Sequence, residues 1–122
     1  METITLDTLQ KCDIRVGIIR FVEPVVGSEK LLRCLVELGD DVATMDYTDE
    51  TSSVFRVRQI LSGVHTFFQP HELLNTSALY IVNLNPRMIM GFESQGMLLA
   101  VGDNDCVMLR PHKAVRPGST LH

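Results

Sequence analysis

The chain has no tryptophan, and its aromatics are few: five phenylalanines and two tyrosines in 122 residues. A groove that binds extended single strands stacks successive bases on aromatic rings. Most of the seven here (Phe21, Tyr47, Phe55, Phe67, Phe68, Tyr80 and Phe92) fall in predicted strands, which argues against that mode. Cysteine is scarce as well. Cys12, Cys34 and Cys106 are odd in number, widely spaced and form no Cys-x-x-Cys, so they read as thiols filling core or half-buried positions and not as zinc or redox centres. Reduced thiols imply a cytoplasmic address. No apolar run reaches membrane-spanning length, and Met1-Glu-Thr-Ile-Thr has no basic n-region, so neither a membrane nor a secreted destination is expected. Positive charge is in deficit. The formal net charge is −4, which excludes indiscriminate attraction to nucleic acid.

Catalytic patterns are missing too. His65, His71, His112 and His122 lie far apart, with no zincin spacing. Ser62-Gly-Val-His65 is no nucleophile elbow. Gly91-x4-Gly96 lacks the phosphate-loop lysine, since Met97 stands in its place and a strand follows where a helix should begin. Adjacent carboxylates occur only at Asp40-Asp41 and Asp49-Glu50, inside a polar stretch. The sequence thus predicts a binding module with no enzyme activity, no metal and no cofactor.

The acidity is localised. Asp40, Asp41, Asp46, Asp49 and Glu50 supply five of the fifteen acids; the remainder of the chain has ten acids against eleven bases. Outside one segment the protein can therefore present a basic face.

The length fits a single domain spanning 1–122, large enough to bury a core without disulfides. Thr5 to Cys12 reads as a short capped helix. Ile14 to Val22 is β-branched, with apolar residues on both faces and Gly17 inside; such a strand switches faces at a glycine bulge and serves two sheets. A turn at Pro24–Glu29 leads to a second strand, Leu31 to Leu38. Asp40 to Ser53 shows no clear period and reads as a long loop or hairpin excursion. Val54 to Leu61 alternates cleanly, with Arg56 and Arg58 on one face and Phe55 and Val57 toward the core. Gln69 to Asn75 reads as a short helix with Pro70 at its start and Asn75 in left-handed geometry at its end. Leu79 to Leu84 is a fourth strand. Met97 to Val101 and Cys106 to Leu109 pair across Gly102-Asp-Asn-Asp. Three strands, a short helix and two more strands is the order of an all-β, five-stranded OB-fold β-barrel with short helices at the N-terminus and between strands 3 and 4.

The most informative stretch is Asn83-Leu-Asn-Pro-Arg-Met-Ile-Met-Gly-Phe-Glu-Ser-Gln-Gly-Met-Leu-Leu99, which joins two apolar strands. A loop with a proline, a cation, two glycines and a hydroxyl on a rigid frame is built to bind. It resembles the strand 4–5 loop of the tRNA-binding domain family, which includes the C-terminal domain or separate β subunit of methionyl-tRNA synthetases, a free-standing tRNA-binding protein and a small secretion chaperone. Other segments resemble that family in the same order: Asp13-Ile-Arg-Val-Gly17, Ser28-Glu-Lys-Leu-Leu32, Arg58-Gln-Ile-Leu-Ser-Gly63 and Pro117-Gly118. The chain differs from it where the family often has lysines, at Asn85 and Met88, and in the length of its acidic segment.

The resemblance implies a non-catalytic tRNA-binding protein, accessory or β subunit to a methionyl-tRNA synthetase or acting alone. It also implies a homodimer, and a lone barrel of this size would leave the apolar Val115 and Leu121 uncovered. Arg87 is the residue to fork onto a phosphate or stack on a base, or else an ordinary exposed arginine. Asn83 and Ser94 either read base edges and 2′-OH groups or tie the loop to itself. Met97 packs on an unstacked base or belongs to the core, and Phe92 is the stacking ring. Lys30, Arg33, Arg56 and Arg58 form an electrostatic track or a solvated sheet face. Two other functions stay open: a dimeric chaperone-like module for polypeptides, and an interaction subunit whose RNA site has decayed.

Overall fold

The computed structural model describes all 122 residues. Its organising element is β1 (Ile14–Pro24). Ile14–Ile18 pair antiparallel with β5 (Ser77–Ile81), and Ile18–Pro24 pair with β2 (Leu32–Glu37). One strand therefore serves two partners, as its apolar residues on both faces predict. The bulge is not at the glycine, however. The register shifts between Ile19 and Phe21, at Arg20. Gly17 answers a different need: a Cβ there would lie 2.7 Å from the side chains of Leu38 and Val36. It is a site of close approach.

Beyond β2 lies β4 (Val54–Ser62), and beyond the first half of β4 lies β3 (Met45–Thr48). The acidic segment is thus a 3₁₀ turn, Asp40–Val42, followed by an edge strand, which makes it the hairpin excursion and not an unstructured loop. On the other side, β5 pairs with β8 (Met97–Val101), which pairs with β9 (Val107–Met108). The order across the sheet is β3-β4-β2-β1-β5-β8-β9, and β6 (Arg87–Ile89) and β7 (Phe92–Ser94) form a separate hairpin. The molecule is mostly β with an open antiparallel sheet. The sequence predicts a five-stranded barrel, closed or nearly closed; the sheet is instead open, with β3 and β9 as edges that do not pair with each other. The reason lies in β4. Its first half is occupied by β3. Along its second half the Leu61 N–H donates to the Ser94 Oγ (3.0 Å) and the Gln59 carbonyl accepts from the Gln95 N–H (2.8 Å), so side-chain and single contacts replace a ladder.

The two helices are short. In α1 (Leu6–Gln10) the Thr5 Oγ1 accepts from the Thr8 N–H, and no residue of the helix is buried. In α2 (Pro70–Leu73) the Glu72 carboxylate reaches back to the Gln69 N–H at 2.8 Å, and Asn75 takes φ +61°, as its place after the helix predicts. Leu73 joins a core of eleven buried residues centred on Ile19, Leu32, Val36, Ile60 and Tyr80. This frame fixes β5 and β8, and with them both ends of the 82–96 loop.

Candidate nucleic-acid interface

The loop from Val82 to Gly96 leaves β5, crosses the mouth of the sheet and returns through β8. Its centre is the β6–β7 hairpin, with Arg87 opposite Ser94 and Ile89 opposite Phe92. The hairpin turns at Met90-Gly91, where both residues have positive φ, 52° and 84°. That is the conformation that matches the twist of a two-residue hairpin, and Gly91 adopts it without strain.

Arg58 holds the base of this loop. Its Nη1 donates to the carbonyls of Val82 (2.7 Å) and Gln95 (3.0 Å), and its Nε donates to the carbonyl of Val42. One guanidinium therefore joins both ends of the loop to the acidic turn. A second tie runs beside it. Thr44 Oγ1 donates to Gln95 Oε1 (2.7 Å), which also accepts from the Gln59 N–H, and Gln59 Nε2 donates to the Glu93 carbonyl (2.9 Å). The acidic turn is itself pinned by Arg15. This arginine is only 9% exposed, donates to both carboxylate oxygens of Asp13 and of Asp41, and reaches the Leu38 carbonyl. The hydrogen bonds from Arg15 hold the Asp41 carboxyl below its ordinary range, and the two carboxylates push the Arg15 pKa up.

The other expected site residues fall into two groups. Several are engaged within the protein. Asn83 accepts from the Asp13 N–H (2.8 Å) and donates to the Lys11 carbonyl (2.6 Å). Ser94 is buried, accepting from Leu61 and donating to the Gly96 carbonyl. Arg33 pairs with Glu23 at 2.8 Å, donates to Gln59 Oε1, and lies between the rings of Phe21 (5.2 Å) and Phe92 (5.5 Å). Arg56 faces Asp46 across the β3–β4 pair at 3.4 Å. The second group is open. The Arg87 side chain is exposed, and none of the five ion pairs includes it. Lys30 is likewise exposed and unpaired, and Met97 is 47% exposed at the start of β8. Arg87 and Met97 meet at a cleft of about 460 Å³ walled by Leu61, Leu84, Ile89 and Met97. A second cleft of about 350 Å³ shares Leu84 and Asn85 with the first and is further lined by Arg58, Asn83, Glu93 and Gln95.

Sequence reasoning missed the bracing residues: Arg15, Asp41, Thr44, Gln59 and Gln95. One signal was present, an arginine inside an otherwise apolar strand two residues after Asp13. A charge in a buried run requires a partner. The partners of Thr44 and Gln59 have no local signature. No group of three or more His, Cys, Asp or Glu residues is placed to hold a metal ion, and no helix is long and apolar enough to cross a membrane.

The same overall fold occurs in known proteins. The MetRS-related protein of Pyrococcus horikoshii superposes with a TM-score of 0.83 at 24% identity over 100% of both chains. The chaperone CsaA of Bacillus anthracis superposes with a TM-score of 0.77 at 19% identity, over 99% of this chain and 100% of that one. At these identities the likeness shows the fold alone. In sequence, the methionine–tRNA ligase of Methanocella arvoryzae is 36% identical over 121 residues, which is 99% of this chain but 16% of that enzyme. The chain therefore spans about one sixth of the length of the curated relatives it matches. The model of the family described as "Putative tRNA binding domain" matches residues 14–120, and with nearly the whole chain inside that match, the protein belongs to the tRNA-binding domain family.

Proposed function

We propose that this protein binds tRNA and catalyses no reaction itself, serving a methionyl-tRNA synthetase as an accessory or β subunit or acting as a free-standing tRNA-binding protein of the cytoplasm. The observation that carries the reading is Arg87. Of the nine residues expected to contact RNA, it alone combines an exposed side chain, freedom from any ion pair and a place on the braced hairpin beside a cleft. A guanidinium in that position can fork onto a phosphate or stack on an unpaired base, the two contacts by which a folded RNA corner is read. Family membership and the methionine–tRNA ligase relatives support the same reading.

The fold fits it as an opened form of the five-stranded OB barrel. Strands β1, β2, β4, β5 and β8 with α2 between β4 and β5 have that order, and the Gln59–Gln95 and Leu61–Ser94 bonds stand where the closing ladder would be. A twofold homodimer is part of the proposal, because α1 buries none of its own residues.

The test is tRNA binding across a salt series. The parent should bind with weak to moderate affinity that falls as salt rises, and Arg87→Ala should weaken binding and lower the slope by roughly one unit or less. Unchanged binding by Arg87→Ala removes the hairpin as the site. A second reading is favoured by the apolar residues around it: Val26, Met88 and Met90 are 98%, 67% and 53% exposed. Such a surface suits an unfolded polypeptide, and retention of a polypeptide in place of tRNA would select it.

A further inference from the structure

We propose that the cleft beneath the β6–β7 hairpin is a seat for one unstacked nucleobase, with Arg87 holding the adjoining phosphate. The inference rests on the tRNA-binding reading and specifies what that site takes. Two clefts share Leu84 and Asn85 in their linings, and they differ in chemistry. The one at Arg58 has Glu93 in its wall, and its guanidinium is already committed to three carbonyls, so it repels a phosphate and has no cation to offer. The one at Arg87 has no carboxylate in its lining. Its walls are Leu61, Leu84, Ile89 and Met97, of which Leu84 and Met97 remain 45% and 47% exposed in the free protein. Its polar side chains are Arg87, Asn85 and Ser94; the Ser94 hydroxyl is already engaged with Leu61 and Gly96, whereas neither Arg87 nor Asn85 has a side-chain hydrogen-bond partner in the protein.

A phosphate alone has no use for four apolar walls. An apolar peptide side chain has no use for an unpaired guanidinium and a free amide. A nucleotide uses all three. The flat faces of its base lie against aliphatic and thioether groups, the base edge meets the paired donor and acceptor of Asn85, and the phosphate meets Arg87. At about 460 Å³ the cleft lies in the range of small-ligand sites and has room for a base. The brace from Arg58 and Gln95 keeps the cleft open before binding, so little ordering cost remains at the moment of contact.

Met97 provides the readout. With the methionine methyl groups labelled with ¹³C, the full chain is titrated with unfractionated tRNA, with AMP, with ribose 5-phosphate and with a reduced, carboxymethylated polypeptide. A base stacked over Met97 moves its methyl resonance upfield, while Met108 on β9 serves as an internal reference. The expected result is an upfield Met97 shift with AMP and with tRNA and none with ribose 5-phosphate. Leu84→Glu, at a half-exposed position that tolerates charge, should weaken tRNA binding at least tenfold. Binding of tRNA with Met97 unmoved overturns the base seat and leaves the tRNA reading intact. An AMP shift without tRNA binding supports the seat and defeats the tRNA reading. A Met97 shift with the polypeptide alone, or a Met97 resonance unmoved by every ligand, overturns the seat.

Discussion

At the scale of single residues, the chain divides its arginines between structure and recognition. Arg58 and Arg87 were both expected at the interface from their charge. Arg58 instead serves three carbonyls, on the acidic turn and at each end of the loop. Hydrogen bonds from a charged donor contribute about 1.5–3 kcal/mol each, but not additively when they share one side chain. Arg58→Met should therefore cost on the order of 2–4 kcal/mol of stability. It should also loosen the loop: hydrogen exchange at the Gln95 and Leu61 amides should quicken, while that at core amides such as Val36 changes only with global stability. Its tRNA affinity should fall with the salt slope unchanged, because no phosphate contact is lost. A slope lowered by about one, as for Arg87→Ala, would make Arg58 an RNA contact after all. The sequence showed which residues are cationic and on which strand they lie. It could not show which of them find carbonyls, because Val42, Val82 and Gln95 reach Arg58 only once the sheet has formed.

At the scale of elements, the alternating strands and the short helix were legible, and what escaped was how the irregular segments are used. β2, β4 and β8 follow from their apolar periodicity, and α2 from Pro70 and Asn75. The acidic segment has no period because its residues serve three separate tasks. Asp41 holds Arg15, Asp46 faces Arg56, and Asp49 ties its own turn by accepting from Thr51 and Ser53. The pH dependence follows from these roles. The carboxyls of Asp41 and Asp49 titrate lower in the folded chain than in the unfolded one, the first chiefly through its bond from Arg15 and the second through its bond from Thr51. Their stabilising contribution is complete above the unfolded value near 3.9 and disappears as pH falls through the depressed folded values. Asp41→Asn should lower the melting temperature at pH 7 and flatten the loss of stability below about pH 4. The same melting curve for parent and variant across that window would show that the Arg15–Asp41 pair adds nothing. Neutralising Asp46 should release Arg56 and tighten tRNA binding more at low salt than at high salt, because exposed charges are screened beyond about 8 Å at physiological ionic strength.

At the scale of the whole molecule, the sheet leaves an apolar surface beside α1 without cover, apart from the one around the hairpin. The α1 helix lies at one end of a cleft of about 370 Å³ shared with Cys12, Ile14 and Leu121, and its own Leu6 and Leu9 are 66% and 52% exposed. A five-residue helix that buries nothing within its own chain is marginal in water, and tertiary packing is what normally sustains such an element. In the proposed homodimer the cover is the same surface of a second copy, since a twofold interface is self-complementary. Sedimentation at micromolar concentration should then give twice the 13.7 kDa chain mass. Leu9→Glu should shift it to one chain, because each protomer loses the burial of a leucine, on the order of 2 kcal/mol. The substitution is at a solvent-facing site of the protomer, so each chain should still fold, with its melting temperature lowered only by what dimerisation adds. The cysteines give a second measurement. Cys34 is buried, with its thiol pushed up to about 12 by desolvation, and Cys106 is raised by partial burial, so Cys12 is the exposed thiol available to an alkylating reagent. Dimerisation through this surface should shield it: alkylation of Cys12 should be slow in the parent and fast in Leu9→Glu. A parent that sediments as one chain, with Cys12 modified as quickly as in the variant, would leave α1 and Leu121 to a different partner.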